Sequence, residues 1–209
     1  LEGLMLFGDR TQTIGIYMPN SCRFAVRDVH MDNMLEGTRS KVCFLAEFTN
    51  VRVNSQSWAF NHGYDGSDKT SLLFNNCYAE ACGGGWNFVA TKYSTLNSCG
   101  ADYINTGGKP GNPYGSAAGG NYQTQGYVYL FSASDVVLNG CGCENSTATY
   151  IYAEGANVTL NSCTVANVSN YFPASVYITA FIELRGVGQS TVILNSCAFS
   201  GITNSSGVT

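Results

Sequence analysis

Five carboxylates carry most of the chemistry this sequence can offer, and three of them recur at a fixed offset. Glu80, Asp102 and Glu144 each stand three residues after a cysteine: Cys77, Cys99 and Cys141. By the parity of a strand, that offset points away from the cysteine's face. The three carboxyls would then be successive steps of one outward column. Carboxyls roughly 5 Å apart suit a retaining glycosidase, and a wider pair suits an inverting one. Like charges so close make one of them a candidate general acid. A solvated polar column is the simpler reading, because acidic side chains favour exposed positions in any case.

Glu154 and Glu183 form a second candidate set with Arg185, near the ends of aromatic stretches. Arg185 can bind an acidic sugar through both edges of its guanidinium, or serve only in a surface ion pair of little weight. His62 and Asp65 are close in a polar, glycine-containing stretch, where a lone histidine is expected to be solvated. No nucleophile elbow, Walker loop or metal motif occurs. A lyase would need calcium carboxylates or a basic proton abstractor, and no calcium cluster is visible, so hydrolysis is favoured over elimination. No metal and no cofactor is expected.

The elements that would position these groups come from a repeat. Ser94-Thr95-Leu96-Asn97-Ser98-Cys99 returns as 136–141, 158–163 and 192–197, more loosely as 72–77, and in outline as 24–29 and 46–51. The last residue of each copy, its anchor, falls at 29, 51, 77, 99, 141, 163 and 197, so the steps are 22, 26, 22, 42, 22 and 34. A fixed period with insertions means one supersecondary unit stacked on copies of itself. Anchors are Val or Cys, both readily buried. The residue three before each anchor is always apolar, and the anchor and the residue two beyond it share a face. Asn75, Asn97, Asn139, Asn161 and Asn195 recur between the apolar runs. Asparagine tolerates the left-handed conformation of a tight bend, and stacked amides can bond the coils above and below. Each period holds an earlier apolar-aromatic run as well, such as 86–89, 127–131, 150–152 and 181–184. About three short strands per period, β-branched and aromatic content and no helical periodicity predict an all-β, right-handed parallel β-helix with an asparagine ladder and an interior column of Cys and Val.

On these residues the chain resembles the right-handed parallel β-helices of the pectate-lyase-like superfamily. Its asparagine column is similar to the ladder of that fold. The odd thiols, Tyr/Gly-rich loops and low charge look most like a phage tailspike or tail fibre, over roughly residues 4 to 205. The resemblance implies a receptor-binding β-helix of a virion tail, folded in the host cytoplasm. It would bind, and as an enzyme depolymerise, a bacterial surface polysaccharide, and it would work as a homotrimer. It equally accommodates a non-catalytic adhesin or shaft segment, and less well a secreted polysaccharide lyase or hydrolase. The fold alone does not choose among them.

Three apparent insertions, 58–66, 105–122 and 170–177, follow the anchor strands and are expected to project from one side. They carry Trp58, Tyr114, Tyr122 and Tyr171, and the adjoining strands add Trp86, Tyr150 and Tyr152. Such an aromatic, glycine-rich wall suits sugar rings. Together with Arg185 these residues are the candidate platforms, although alternation should turn some of them inward or into a subunit contact. In the resembled superfamily the groove beside this turn is where polysaccharide lies.

Composition bounds the rest. The 209 residues are 44% apolar and 11% charged with a formal charge of −4. That supports one domain, 1–209, with a sizeable core. The absence of a basic cluster argues against nucleic acid. No run reaches the length of a membrane span, and no signal peptide is visible. The chain opens on Leu1 without an evident cap at either end, which suggests a piece of a longer polypeptide. Nine cysteines are an odd set. Stacked in register they stay about 4.8 Å apart, wider than a disulfide permits, so reduced, buried thiols and a reducing compartment are expected.

Overall fold

A computed structural model describes residues 1–63, 68–104, 127–146, 148–170, 181–186 and 189–204. Every strand pairing among the described residues is parallel, and none of the described residues is helical. The chain winds as a parallel β-helix with three sheets. The aromatic sheet contains 14–18, 36–40, Trp58–His62, Gly84–Val89, Tyr127–Ser132, Thr149–Glu154 and Ile182–Arg185. The ladder sheet contains 22–27, 44–49, Lys69–Asn75, Ser94–Asn97, Asp135–Asn139, Asn157–Asn161 and Thr191–Asn195. The third, or acid, sheet runs from Glu2–Phe7 through 29–32, 51–53, Tyr78–Glu80, Gly100–Asp102, Gly142–Glu144 and Thr164–Ala166 to Ala198–Ser200. The opening strand, Glu2–Phe7, thus stacks on 27–32 in this sheet. The polar bend after it is held by Asp9, whose Oδ1 accepts from the amides of Thr11 (2.9 Å) and Gln12 (3.1 Å). Those backbone donors hold the Asp9 carboxyl below its ordinary value.

The repeat positions fill the interior as their parity requires. Val29, Val51, Cys77, Cys99, Cys141 and Cys163 are buried, and so are Met31, Val53, Ala79, Ala101, Cys143 and Val165 two residues on. The last coil marks the rule by its exception. Leu160 has no exposed surface, whereas its partner one rung on, Leu194, is 43% exposed, with no described rung beyond it. All nine cysteines are free. Each stacked thiol donates across to a strand carbonyl, as Cys99 does to Phe74 O at 3.6 Å and Cys141 to Leu96 O at 3.4 Å. Burial pushes the Cys143 thiol up to about 12 and the Cys43 and Cys82 thiols to about 11.

The asparagine ladder is present, but the bend is built differently from the sequence expectation. Asn97 Nδ2 donates to Asn75 Oδ1 (2.9 Å), Asn139 to Asn97 (2.9 Å), Asn161 to Asn139 (2.8 Å) and Asn195 to Asn161 (2.8 Å). These asparagines end their strands. The left-handed residue is the next one: Asn76, Ser98, Gly140, Ser162 and Ser196, with φ between 50° and 59°. The ladder amides therefore brace the turn sideways, and the small residue after them makes it.

One insertion is corrected outright. Trp58–His62 is a regular strand of the aromatic sheet, paired with Thr38 and Arg39 below and with Gly84–Phe88 above. Its polar Asn61 and His62 interrupt the apolar run and hide the strand from a pattern search. The extra residues of that coil fall at the corner between the aromatic and ladder sheets, where 64–67 lie outside the described residues. The other two, 105–122 and 170–177, lie outside the described residues but for Asn170, as does the side from which they would project.

Candidate functional site

The acid column stands as its spacing requires. Asp102 is in register with Glu80 on one side and Glu144 on the other. Two of its members are already engaged, Glu80 and Asp102. Arg52 Nε donates to Glu80 Oε2 at 2.9 Å, and Arg52 Nη2 bonds the same oxygen. The guanidinium also lies over the Tyr78 ring at 5.9 Å. Asp102 Oδ1 accepts from Asn145 Nδ2 at 3.2 Å. Partial burial and then the charges of Asp102, Glu80 and Glu144 raise the Tyr78 phenol. This face is open, and Glu144 is exposed.

The second set also assembles. Tyr152 pairs with Glu183 and Glu154 with Arg185 across adjacent coils. Tyr152 OH donates to Glu154 Oε2 (3.3 Å), and Arg185 Nε donates to Glu183 Oε1 (2.5 Å). Glu183 raises the Arg185 guanidinium further. The Glu183 carboxyl is largely covered, and its Oε2 has no partner, while Arg185 reaches solvent.

Burial sorts the aromatic candidates. Trp86 and Tyr150 cannot be sugar platforms, because both lie in the coil interior. Trp86 stacks between Phe60 (5.0 Å) and Tyr129 (5.1 Å), and Tyr150 stacks on Phe181 (5.1 Å). Burial, and then nearby cysteines, raise the Tyr150 phenol well above its ordinary value. Trp58 and Tyr152 point outward but are covered too, in a cluster with Val89, Tyr127 and Leu130; Tyr152 is only 1% exposed. Tyr114, Tyr122 and Tyr171 lie outside the described residues, as does Asp65.

His62 is corrected from a solvated loop residue to a fully buried one. Its Nδ1 lies 2.7 Å from Ser40 Oγ and its Nε2 3.4 Å from Thr38 Oγ1, inside a ring of Phe48, Phe74 and Phe88. Burial, then Lys69, lowers it to about 3.

Sequence reasoning missed a polar cluster on the outer face of the aromatic sheet. Glu36 Oε2 accepts from Arg39 Nε (2.7 Å) and Asn61 Nδ2 (3.1 Å), and Asn61 Oδ1 accepts from Asn87 Nδ2 (2.9 Å). All four side chains are buried, Glu36 completely. The one signal available was Glu36 and Arg39 at a spacing of three in a strand that lacks aromatics.

No family model matches this sequence, and no curated protein matches it. Among solved structures the chain is similar to the gp42 tailspike of Acinetobacter phage vb_AbaP_AS12, with a TM-score of 0.70 at 24% identity. The match covers 83% of this chain and 29% of the tailspike chain, so the coil corresponds to under a third of that protein.

Proposed function

We propose that this chain is the polysaccharide-binding coil of a phage tail protein, with its glycan face on the outside of the aromatic sheet. The observation that carries the reading is the meeting of Tyr152, Glu154, Glu183 and Arg185 on neighbouring coils of a tailspike-like fold. A glycan laid along the axis meets one coil per about 4.8 Å, close to the length of one pyranose. The exposed edge of Arg185 takes an acidic group of the sugar. Glu154 and Glu183 flank the scissile oxygen as the carboxyl pair of a glycoside hydrolase. Tyr152 fixes Glu154, and the second oxygen of Glu183 is the unengaged acceptor.

A second reading puts hydrolysis on Glu80, Asp102 and Glu144, favoured by their register. The Arg52 ion pair and the Asn145 hydrogen bond favour instead a solvated wall, as in a non-catalytic shaft. In the virion tail the chain would act as a homotrimer, folded with its thiols reduced. The functional test incubates the chain with purified bacterial capsular polysaccharides and lipopolysaccharides, reading retention by pull-down and cleavage by new reducing ends. Retention with new reducing ends supports a depolymerase, and retention alone a binding coil. No retention on any preparation overturns the reading in favour of a shaft. Sedimentation equilibrium of the full-length parent tests the trimer, and a stable monomer contradicts it.

A further inference from the structure

The coil has three outer faces, and one of them is already covered. On the aromatic sheet Trp58, Tyr127, Leu130 and Tyr152 point outward yet are buried within the chain. The ladder and acid sheets keep open faces, which adjoin at the bend of Ser98, Gly140, Ser162 and Ser196.

The ladder face has the anatomy of an interface. Leu73, Thr95, Val137, Thr159 and Ile193 stack in register as its central column. They alternate with buried residues along their strands, so they stand outward. Beside them runs the uncharged asparagine ladder. Ion pairs stand at the margins, Arg27 with Glu47 and Lys92 with Asp135, both at 3.0 Å. An uncharged centre within a charged rim is how protein interfaces are built. On the outer edge Tyr93 is 80% exposed, the most exposed large apolar side chain among the described residues, and exposed apolar patches mark contact surfaces.

The acid face supplies the counterpart. Next to the shared bend, Gly100, Gly142, Thr164 and Ala198 stack in register. The Tyr78 ring lies over Gly100, and a side chain at Gly142 would find only Thr164 O within 4 Å, at 3.8 Å. From Gly142 on, the column is therefore a shallow trough. Its members share coils with the ladder column: Gly142 with Val137, Thr164 with Thr159 and Ala198 with Ile193. Charge matches as well. The acid face carries Asp32, Glu80, Asp102 and Glu144 against Arg52, whereas the ladder face carries Arg23, Arg27 and Lys92 against Glu47 and Asp135. Two acid faces repel each other, and an acid face attracts a ladder face.

We propose that a second copy of this chain docks here: the ladder face of each protomer packs on the acid face of the next, with the Ser98–Gly140–Ser162–Ser196 bend at the threefold axis. This rests on the trimer of the reading above and assigns the surfaces that meet in it. A three-sided coil on a threefold axis turns one edge inward, offers the two faces beside that edge to its two neighbours and keeps the third outside. The third is the aromatic sheet, so the glycan face stays free. Small residues at the bend let three coils approach closely. Val137 and Ile193 enter the trough over the partner's Gly142 and the partner's Ala198. Glu80, Asp102 and Glu144 lie two residues farther from the axis, at the wet rim, facing the basic edge of the neighbouring ladder face. With rungs about 4.8 Å apart and a rise of about 3.3 Å per residue, a ladder face measures roughly 30 by 15 Å. One contact then covers roughly 900 Å² counted on both sides, near the roughly 1,000 Å² that a specific interface needs.

The test is made in the full-length parent with Cys22→Ser, which removes the exposed thiol. Thr159→Cys and Thr164→Cys together should form covalent trimers when diamide oxidises facing thiols to disulfides, read on a non-reducing gel. Either substitution alone should give no cross-link. Val137→Arg puts a charge into the contact and should weaken trimerisation at least about a hundredfold in sedimentation equilibrium. Circular dichroism confirms that this variant folds; if it does not, the cross-link decides. No covalent trimer from the double variant overturns the assignment, as does a dimer from Thr159→Cys alone, which would place two ladder faces together. An undisturbed trimer in folded Val137→Arg overturns it too. In each of these cases a parent that still sediments as a trimer leaves the trimer reading standing, and a monomeric parent brings down both.

Discussion

Two outward columns of this coil carry carboxylates and treat them in opposite ways. On the acid sheet, Glu80, Asp102 and Glu144 stand in register, open to water, with Arg52 and Asn145 as partners. On the aromatic sheet, Glu36 and Glu183 stand at the ends of a covered column, each bound to an arginine by one oxygen and unpartnered at the other. Neighbouring carboxylates are inexpensive where water screens them. A buried carboxylate with an unpaired oxygen persists against a cost, which is why the second column, and not the more regular first, reads as the functional one.

The largest break in that comparison should come from truncating one acid on each face. Glu36→Ala removes the buried carboxylate to which Arg39 Nε and Asn61 Nδ2 donate and should cost about 3–5 kcal/mol. Glu80→Ala leaves Arg52 half-exposed and should cost at most about 1 kcal/mol. Urea unfolding of the two variants measures both, and equal losses would erase the distinction between the faces.

Acid should separate the two regions next. His62 lies under the aromatic sheet with a folded pKa of about 3, below its ordinary value of 6.5. Below 6.5 the unfolded chain takes up the proton first, so stability present above that pH is lost as the pH falls toward 3. At about 1.4 kcal/mol per unit, the loss approaches roughly 4 kcal/mol. Behind the acid sheet the buried residues are Ala79, Ala101 and Cys143, with no group that titrates in this window. Amide exchange between pH 6.5 and 4, corrected for intrinsic rates, should rise at Trp58–His62 before it rises at Gly100–Asp102. Simultaneous loss would assign acid lability to the coil as a whole. His62→Phe should flatten the pH dependence.

A smaller effect belongs to the ladder sheet, which lies between the two. Asn139→Ala removes one donor to Asn97 and one acceptor for Asn161 in a half-buried setting, and should cost about 1–2 kcal/mol in thermal or urea unfolding. A neutral result would make the ladder ornamental.

The sequence exposes the periodic parts of this molecule and hides the parts that depend on contacts between coils. The 22-residue step places Cys99 over Cys77, Leu160 over Leu138 and Asp102 over Glu80, because a coil forces equal offsets into register. It also yields the ladder, though not the shift of the left-handed bend onto Ser98 and Gly140. It does not say which tyrosines face out. Gly84–Val89 and Tyr127–Phe131 are buried on both faces, so the alternation that sorts a half-exposed strand is absent. Trp86 and Tyr150 therefore look like platforms and prove to be core. Glu36, Arg39, Asn61 and Asn87 are spread over three coils, and only the stacking brings them together.

The most direct test of the account sets the two faces against each other in one assay. Glu183→Gln with Arg185→Ala is compared with Glu80→Gln, Asp102→Asn and Glu144→Gln for polysaccharide retention and for new reducing ends. The account predicts that the first pair loses retention, or cleavage where there is cleavage, while the acid-column variants behave as the parent. Loss on the acid column with the Glu183–Arg185 pair silent would move the site to the open face and contradict it.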